Sequence, residues 1–410
     1  MEIYLVGGAV RDKLLNRPVG EKDWVVVGGS AAELEAEGYK RVGKSFPVFL
    51  HPGTGEEYAL ARTETKTGPG HHGFDVYAES DVSLEDDLLR RDLTINAIAE
   101  GGDGILTDPY GGQADIEARL LRHVSDAFRE DPLRVLRVAR FAARFHKLGF
   151  RVATDTLDLM KDMAADGELD TLVPERIWKE TAIALGESRP DIYIETLRNC
   201  GALEIVFPEI NCLFGVPQPP KWHPEIDTGI HVLLVMRLAA QLSDSVPVRF
   251  AAMVHDLGKG MTDKRWWPSH RGHEQCSTDL INELCNRLGV PNRCRDLAIN
   301  VGLYHGHSHR ALQLRPDTVL KLIEHTDAFR RPERFEEFLL ACEADARGRT
   351  GLEDRPYHQA DILRTAFAAA LNVSSEQLQE QGLEGPKFGA ALRKARLEAV
   401  GSALTEVRGS

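Results

Sequence analysis

LVGGAVRDKLL (Leu5 to Leu15), followed by EKDWVVVG (Glu21 to Gly28), is the stretch that decides the fold. A short apolar run, Ile3 to Val6, enters the double glycine Gly7-Gly8, and Arg11-Asp12 lie on a helix start. A second apolar run, Trp24 to Val27, follows the acids Glu21 and Asp23. Glycines after a strand let backbone N–H groups approach a phosphate, and a helix N-terminus favours negative charge. Acids two apart point to one face of a strand. Two such acids beside a phosphate cradle are what a divalent cation bridging to a triphosphate requires.

Two further segments extend this reading. LEDDLLRRDLTINAIA, Leu84 to Ala99, places Arg90-Arg91-Asp92 ahead of Asn96 on one expected short helix. Arginine suits triphosphate oxygens because its planar fork pairs bidentately with phosphate. In FREDPLRVLRVARFAARFHKLGFR, Phe128 to Arg151, the residues Arg134, Arg137, Arg140 and Arg144 fall on one helical face. Asp131-Pro132 suits a helix entry, with Asp131 and Arg134 one turn apart.

Composition sets the bounds. With 410 residues, 42% hydrophobic and 28% charged, the chain reads as a soluble protein of two to four domains. No apolar run reaches membrane-spanning length and no basic-apolar leader opens the chain, which predicts a cytoplasmic protein with no membrane partner. Six cysteines form no C-x-x-C pair and read as reduced thiols. A net charge of −13 argues against a polyanionic partner unless a local basic surface exists, and the arginines after Asp131 are the expected one.

The coarse organisation is α+β. Residues 1–111 alternate short strand-like runs with Gly, Pro and Asp punctuation and predict a head with a small mixed sheet. Residues 67–73 (TGPGHHG) read as a mobile glycine-rich loop. Helical periodicity dominates afterwards, giving a neck and body over 112–225, a second helical domain over 226–331 and a helical tail over 332–410.

That second domain carries separate chemistry. His231 sits in TGIHVLLV, His255-Asp256 in FAAMVHDLGKG, His305 in LYHGHSH and Asp345 in CEADARGR. His and Asp on helices of one bundle can converge on a metal, imidazole suiting transition metals. Adjacent His and Asp differ by about 100° on a helix, which makes a buried ligand pair more attractive than one-sided packing. His270 and His273 in SHRGHE are also available as ligands.

GGAVRD, the acid pair before WVVVG, RRDLTINA and EDPLRVLRVARF occur in this order and at these intervals. Together they resemble the bacterial tRNA nucleotidyltransferases, or CCA-adding enzymes, in the multifunctional form with a C-terminal HD domain. Val42 to Pro52 (VGKSFPVFLHP) resembles the CCA-adding version more than the related poly(A) polymerases, which are more basic there. The resemblance implies a DNA-polymerase-beta-like head followed by an all-helical neck, body and HD domain. It implies attack of a tRNA 3′-hydroxyl on the α-phosphate of CTP or ATP, so that C, C and A are added without a template. It implies Mg²⁺ at Glu21 and Asp23, where the family pattern is Asp-x-Asp. Glutamate holds its carboxylate one methylene further out, so Asp23 is the firmer ligand. By the same carry-over Gly8, Arg11, Arg91, Arg137 and Arg140 contact the nucleotide, and Asp131 with Arg134 reads the base.

That base-reading pair makes chemical sense. Cytosine and adenine both carry an exocyclic amine beside a ring acceptor, which an Asp–Arg pair matches and guanine or uracil does not. His231, His255 and Asp256 resemble the core of the HD phosphohydrolases. This implies Ni²⁺ or another divalent transition metal, and 2′,3′-cyclic phosphodiesterase, 2′-nucleotidase and phosphatase activities. The expected assembly is a monomer or homodimer. Two rivals stay open on the residues alone: a bacterial poly(A) polymerase, and an HD phosphohydrolase whose head is inactive, the latter supported by Glu21.

Overall fold

The computed structural model describes residues 1–42, 48–66, 74–77, 81–379 and 383–409. The expected loop at 67–73 and residues 43–47 of the VGKSFPVFLHP segment lie outside the described residues. The chain divides into two compact units, Met1–Glu180 with Thr196–Val206, and Thr181–Glu195 with Phe207–Ser410.

The first unit is built on a seven-stranded mixed sheet. Its strands are β1 (Glu2–Val6), β2 (Asp23–Val27), β3 (Lys40–Val42), β4 (Val48–Leu50), β5 (Glu57–Leu60), β8 (Ala99–Gly101) and β9 (Leu106–Thr107), while β6 (Thr63–Lys66) and β7 (Phe74–Tyr77) pair separately. The order is β3-β4-β5-β2-β1-β8-β9. β2 runs antiparallel to β1 and parallel to β5, in a register that sets Asp23 beside Val6 on one side and Glu57 on the other. The run Trp24 to Val27 is apolar because the sheet is covered on both faces. Val25 joins one buried cluster with Val6, Leu84, Leu88 and Ala99, and Val26 joins another with Leu34, Phe49, Tyr58 and Leu60.

Helices α1 (Gly8–Leu14), α2 (Ala31–Ala36), α3 (Leu84–Leu89), α4 (Gly112–Ala118), α5 (Leu133–Phe145), α6 (Thr154–Ala165), α7 (Pro174–Gly186), α8 (Pro190–Asn199) and α9 (Ala202–Val206) follow. Leu84 and Leu88 pack α3 on the sheet. The expected helix through Arg90–Asn96 stops at Leu89, and Thr94–Asn96 form a separate 3-10 turn. Both arginines reach one buried carboxylate at helical spacing, Arg90 at 2.7 Å and Arg91 at 3.1 Å from Asp87.

The second unit is helical: α10 (Pro208–Asn211), α11 (Thr228–Leu242), α12 (Val246–Val254), α13 (His273–Leu288), α14 (Asn292–His309), α15 (Pro316–His325), α16 (Pro332–Arg347), α17 (His358–Leu371), α18 (Ser375–Gln379) and α19 (Gly385–Gly409). Val235 and Ala239 of α11, Ala252 of α12 and Ala344 of α16 form one buried cluster. Small residues there bring the three helices close enough for their polar side chains to meet. α16 lies beyond residue 331, in the stretch expected as tail, yet it packs into this bundle. Among the described residues no helix is long and apolar enough to cross a membrane.

Candidate functional site

The first candidate site lies where β1 turns into α1. Gly7 has φ +70°, and a Cβ there would sit 3.0 Å from Arg91 Nη1. The positive φ favours glycine, and a Cβ there would crowd the Arg91 guanidinium. Asp23, opposite Val6, faces this turn from the next strand. Burial pushes its carboxyl up, the Arg91 charge pulls it down and Glu21 pushes it up again, with a net rise. Asp23, Glu21 and Arg91 therefore sit within electrostatic reach of each other beside Gly7. Glu21 itself precedes β2 in a bend, so the expected alternation along one strand does not align it with Asp23. An all-carboxylate donor set suits a hard divalent cation.

Several expected site residues face inward instead. Arg11 is 3% exposed and bonds Asp12 at 2.9 Å and Asn96 Oδ1 at 2.5 Å, over the rings of Phe141 and Phe145. Asn96 in turn donates to Asp92, which accepts from Arg137 at 2.8 Å. Glu180 lies 3.7 Å from Arg137 and accepts from Arg140 at 2.5 Å. Arg144 lies 3.5 Å from Asp12. On the expected cationic face of α5, Arg137, Arg140 and Arg144 are thus paired with Asp92, Glu180 and Asp12 in a partly buried ionic frame. Gly8 heads α1, with its Cβ direction 3.4 Å from Arg11.

Asp131 and Arg134, expected one turn apart at a helix entry, meet through the backbone, Arg134 N donating to Asp131 O at 2.9 Å. Asp131 has extended backbone (φ −119°, ψ 101°) just ahead of α5, and its side chain is engaged by other groups. Its carboxylate accepts from Leu133 N at 3.1 Å and from both Nη atoms of Arg176, at 3.2 and 2.8 Å. Arg134 donates to the carbonyls of Ala127 and Arg90, at 2.6 and 2.5 Å. Arg176 was missed because nothing in VPERIWKE sets it apart from an ordinary helix-surface arginine.

The second site is a buried His/Asp cluster. His231 comes from α11, His255 from the end of α12, His273 from the start of α13, His305 from α14 and Asp345 from α16. α12 ends at Val254, and Asp256 (φ −109°, ψ 14°) is off the helix, so adjacent His255 and Asp256 turn into one pocket. His231 Nε2 lies 3.0 Å from Asp345 Oδ1. His255 Nε2 lies 3.2 Å from Asp256 and 3.7 Å from Asp345. Lys259 reaches Asp256 at 2.7 Å, and His309 reaches Asp345 at 2.6 Å. His270 is engaged elsewhere: Nδ1 meets Thr262 and Nε2 meets Pro217 O.

The electrostatics of this cluster call for a cation. Burial pushes the Asp256 and Asp345 carboxyls up, but the surrounding imidazoles and Lys259 hold them well below the usual range. Burial would lower His255, yet the two carboxylates outweigh it and hold it up to about 10. Burial pushes His305 down to about 3, leaving a neutral ring with a lone pair. His255 Nε2 and Asp256 Oδ1 are buried with no hydrogen-bond partner. Such orphaned donors and acceptors fit a transition-metal site. The cluster opens on a cleft of about 960 Å³, lined among others by Trp222, Lys259, Arg310, Arg349 and Tyr357.

Comparison with known proteins bears on both sites. Residues 3–122 match the poly A polymerase head domain, 149–213 a probable RNA and SrmB-binding site of polymerase A, and 228–332 the HD domain. The chain is 63% identical over 400 residues to the multifunctional CCA protein of Thioalkalivibrio sulfidiphilus, covering 98% of each. It is 60% identical to that of Nitrosococcus oceani, covering 100% of each. Among solved structures, a CCA-adding enzyme in complex with CTP superposes with a TM-score of 0.67 at 22% identity, covering 99% of this chain and 90% of the other. The Thermotoga maritima CCA-adding enzyme complexed with tRNA gives 0.64 at 19%, covering 99% and 91%. At those identities the likeness is one of fold.

Proposed function

The chain belongs to the multifunctional CCA proteins, and from that premise we propose that Asp23, Glu21 and Arg91 form the nucleotidyl-transfer centre of its head. The enzyme adds C, C and A to the 3′ end of tRNA from CTP and ATP, releasing pyrophosphate. The observation that supports this placement of the centre is the meeting of Asp23 and Arg91 at the Gly7 turn.

Asp23, with Glu21 beside it, would hold Mg²⁺. When bound, that ion lowers the pKa of an attacking hydroxyl and steadies a leaving pyrophosphate. The chain's own residues do the rest. The missing side chains at Gly7 and Gly8 leave room for triphosphate oxygens at the backbone. Arg91, braced by Asp87, offers charge to them. Arg11, Arg137 and Arg140 act through the ionic frame that holds the head against α5. Base selection falls to Asp131 and Arg134, with Arg176 holding the Asp131 carboxylate as an acceptor for the cytosine or adenine amine.

The HD cluster is the second centre. His231, His255, Asp256 and Asp345 would hold Ni²⁺ or another divalent transition metal, which as a Lewis acid polarises a phosphoryl oxygen. Lys259 and Arg349, lining the cleft, draw in the phosphate of a 2′,3′-cyclic or monoester end. Trimming a damaged end before rebuilding it joins the two centres in one task. All six cysteines are free, which supports a reducing, cytoplasmic setting.

The test is extension of tRNA lacking its 3′ CCA with CTP and ATP, together and singly, resolved on sequencing gels. Three added residues with both nucleotides, and two with CTP alone, are expected. No extension would favour the inactive-head reading, and repeated AMP addition would favour a poly(A) polymerase.

A further inference from the structure

We propose that Trp222 is a base-stacking platform in the HD cleft, through which the site selects phosphate esters of nucleosides over those of base-free sugars. This rests on reading the HD cluster as a phosphohydrolase centre. Trp222 lines the cleft and is 58% exposed. A tryptophan has a large apolar body that is ordinarily well covered. At about 960 Å³ the cleft has room for far more than a phosphate group, and its size is that of a site for a whole organic ligand.

Trp222 is exposed but held. It stands in VPQPPKWHP, Val216 to Pro224, where four prolines restrict the backbone. Its N–H donates to Pro219 O at 3.0 Å. Two ties run from it to the HD ligands. Arg349 donates from Nη1 to Trp222 O at 3.3 Å, and its Nη2 lies 3.7 Å from Asp345 Oδ1. His223, next in sequence, lies 3.1 Å from Glu225 Oε1, and the same oxygen lies 2.9 Å from His231 Nδ1. The backbone that carries the ring is thereby fixed relative to Asp345 and His231. A group that positions a substrate against reacting atoms needs such support.

The surroundings fit a nucleotide. Lys221 Nζ lies 4.8 Å from the Trp222 ring centroid. Among the described residues, five lysines and arginines but only two carboxylates line the cleft, in a chain whose net charge is −13. Arg310 and Arg355 are exposed there. A π face among cations matches a ligand that joins an aromatic base to a phosphate; a base-free ester leaves the ring unused. Arg349 touches both the Trp222 backbone and Asp345, so a phosphate paired with it brings its own base towards the ring. Stacking engages the π face that every base has. The platform therefore takes the terminal nucleoside of a broken RNA end whichever base it carries.

The experiment compares two esters on the Ni²⁺-loaded full-length chain: adenosine 2′,3′-cyclic phosphate, and methyl riboside 2′,3′-cyclic phosphate, which lacks the base. Trp222→Ala should lower kcat/KM about tenfold or more on the first, chiefly through KM, and under about threefold on the second. Trp222→Phe should restore most of the loss. In chelator-treated protein, 8-azidoadenosine 2′-phosphate should photo-cross-link to the peptide that carries Trp222, located by mass spectrometry. Equal losses on the two esters, or none on either, overturn the platform, as does a failure to cross-link at that peptide. A parent chain that hydrolyses neither ester overturns the hydrolase reading instead, and the cross-link then decides the platform by itself.

Discussion

Arg137 grips one oxygen of Asp92 from two nitrogens, Nε at 2.8 Å and Nη2 at 2.7 Å, and so ties the segment after α3 to α5. The other oxygen of Asp92 accepts from Leu93 N and Asn96 Nδ2. Burial pushes the Asp92 carboxyl up, but Arg137 and these bonds outweigh it and hold it well below the usual carboxylate range.

Asp92→Asn should therefore destabilise the protein by about 3 kcal/mol near neutral pH. An acid whose folded pKa is depressed contributes fully above its unfolded pKa and loses that contribution as pH falls through the folded one. The gap between native protein and variant should be constant above about pH 4 and close below it. Urea unfolding at a series of pH values measures this; a gap that persists into acid would show that the charge is not the source.

Asp23, as the proposed metal ligand of the head, should set the acid limit of nucleotide addition. Its raised carboxyl must ionise to hold a cation, and Glu21 and Arg91 shift it in opposite directions. Glu21→Gln removes a like charge and should move the acid limb of the pH–rate profile lower, by about half a pH unit or more. Arg91→Gln should move it higher. Asp23→Asn should lower addition by about a hundredfold or more at every pH. The position of the limb, not its height, carries the test, measured as CMP incorporation at fixed Mg²⁺.

Much of this was legible in the residues, and the boundary between legible and not is physical. Period-two and glycine signals placed β1, α1 and β2 because strand alternation and positive φ act locally. His255-Asp256 was legible because two ligand types stand side by side in an apolar run. The partners of arginines were not. Arg11, Arg137 and Arg140 are placed at the nucleotide by the resemblance, but neither that nor their spacing reveals that Asn96, Asp92 and Glu180 return from 85, 45 and 40 residues away to meet them. Asp345 was visible as a candidate, while its place in the HD bundle depends on the packing of Ala344 against α11 and α12.

Arg176 should matter to base choice as much as the residue it holds. Its two contacts fix the Asp131 carboxylate as an acceptor. Arg176→Ala should raise misincorporation of GMP and UMP about tenfold. Combined with Asp131→Ala it should add little, because contacting residues are not additive. Sequencing of extended tRNA ends in a four-nucleotide mixture measures it. Unchanged selectivity with lowered thermal stability would make the pair a structural tie alone.

Gly258 offers a way to disable the HD centre without touching a ligand. A Cβ there would lie 2.1 Å from His273 O and 2.6 Å from Ser277 N, both backbone atoms of α13. Neither can yield as a flexible side chain would, so Gly258→Ala must push the start of α13, and with it His273, away from Asp256. The overpacking should destabilise by about 1–3 kcal/mol. A displacement near 1 Å at a reacting centre can cost about a hundredfold in rate. Cyclic-phosphodiester hydrolysis should therefore fall by about ten- to a hundredfold while CCA addition, assayed in parallel, stays at the native rate. Equal losses in both assays would mean that the strain spreads beyond α13 and that the two activities do not rest on separately folded ground.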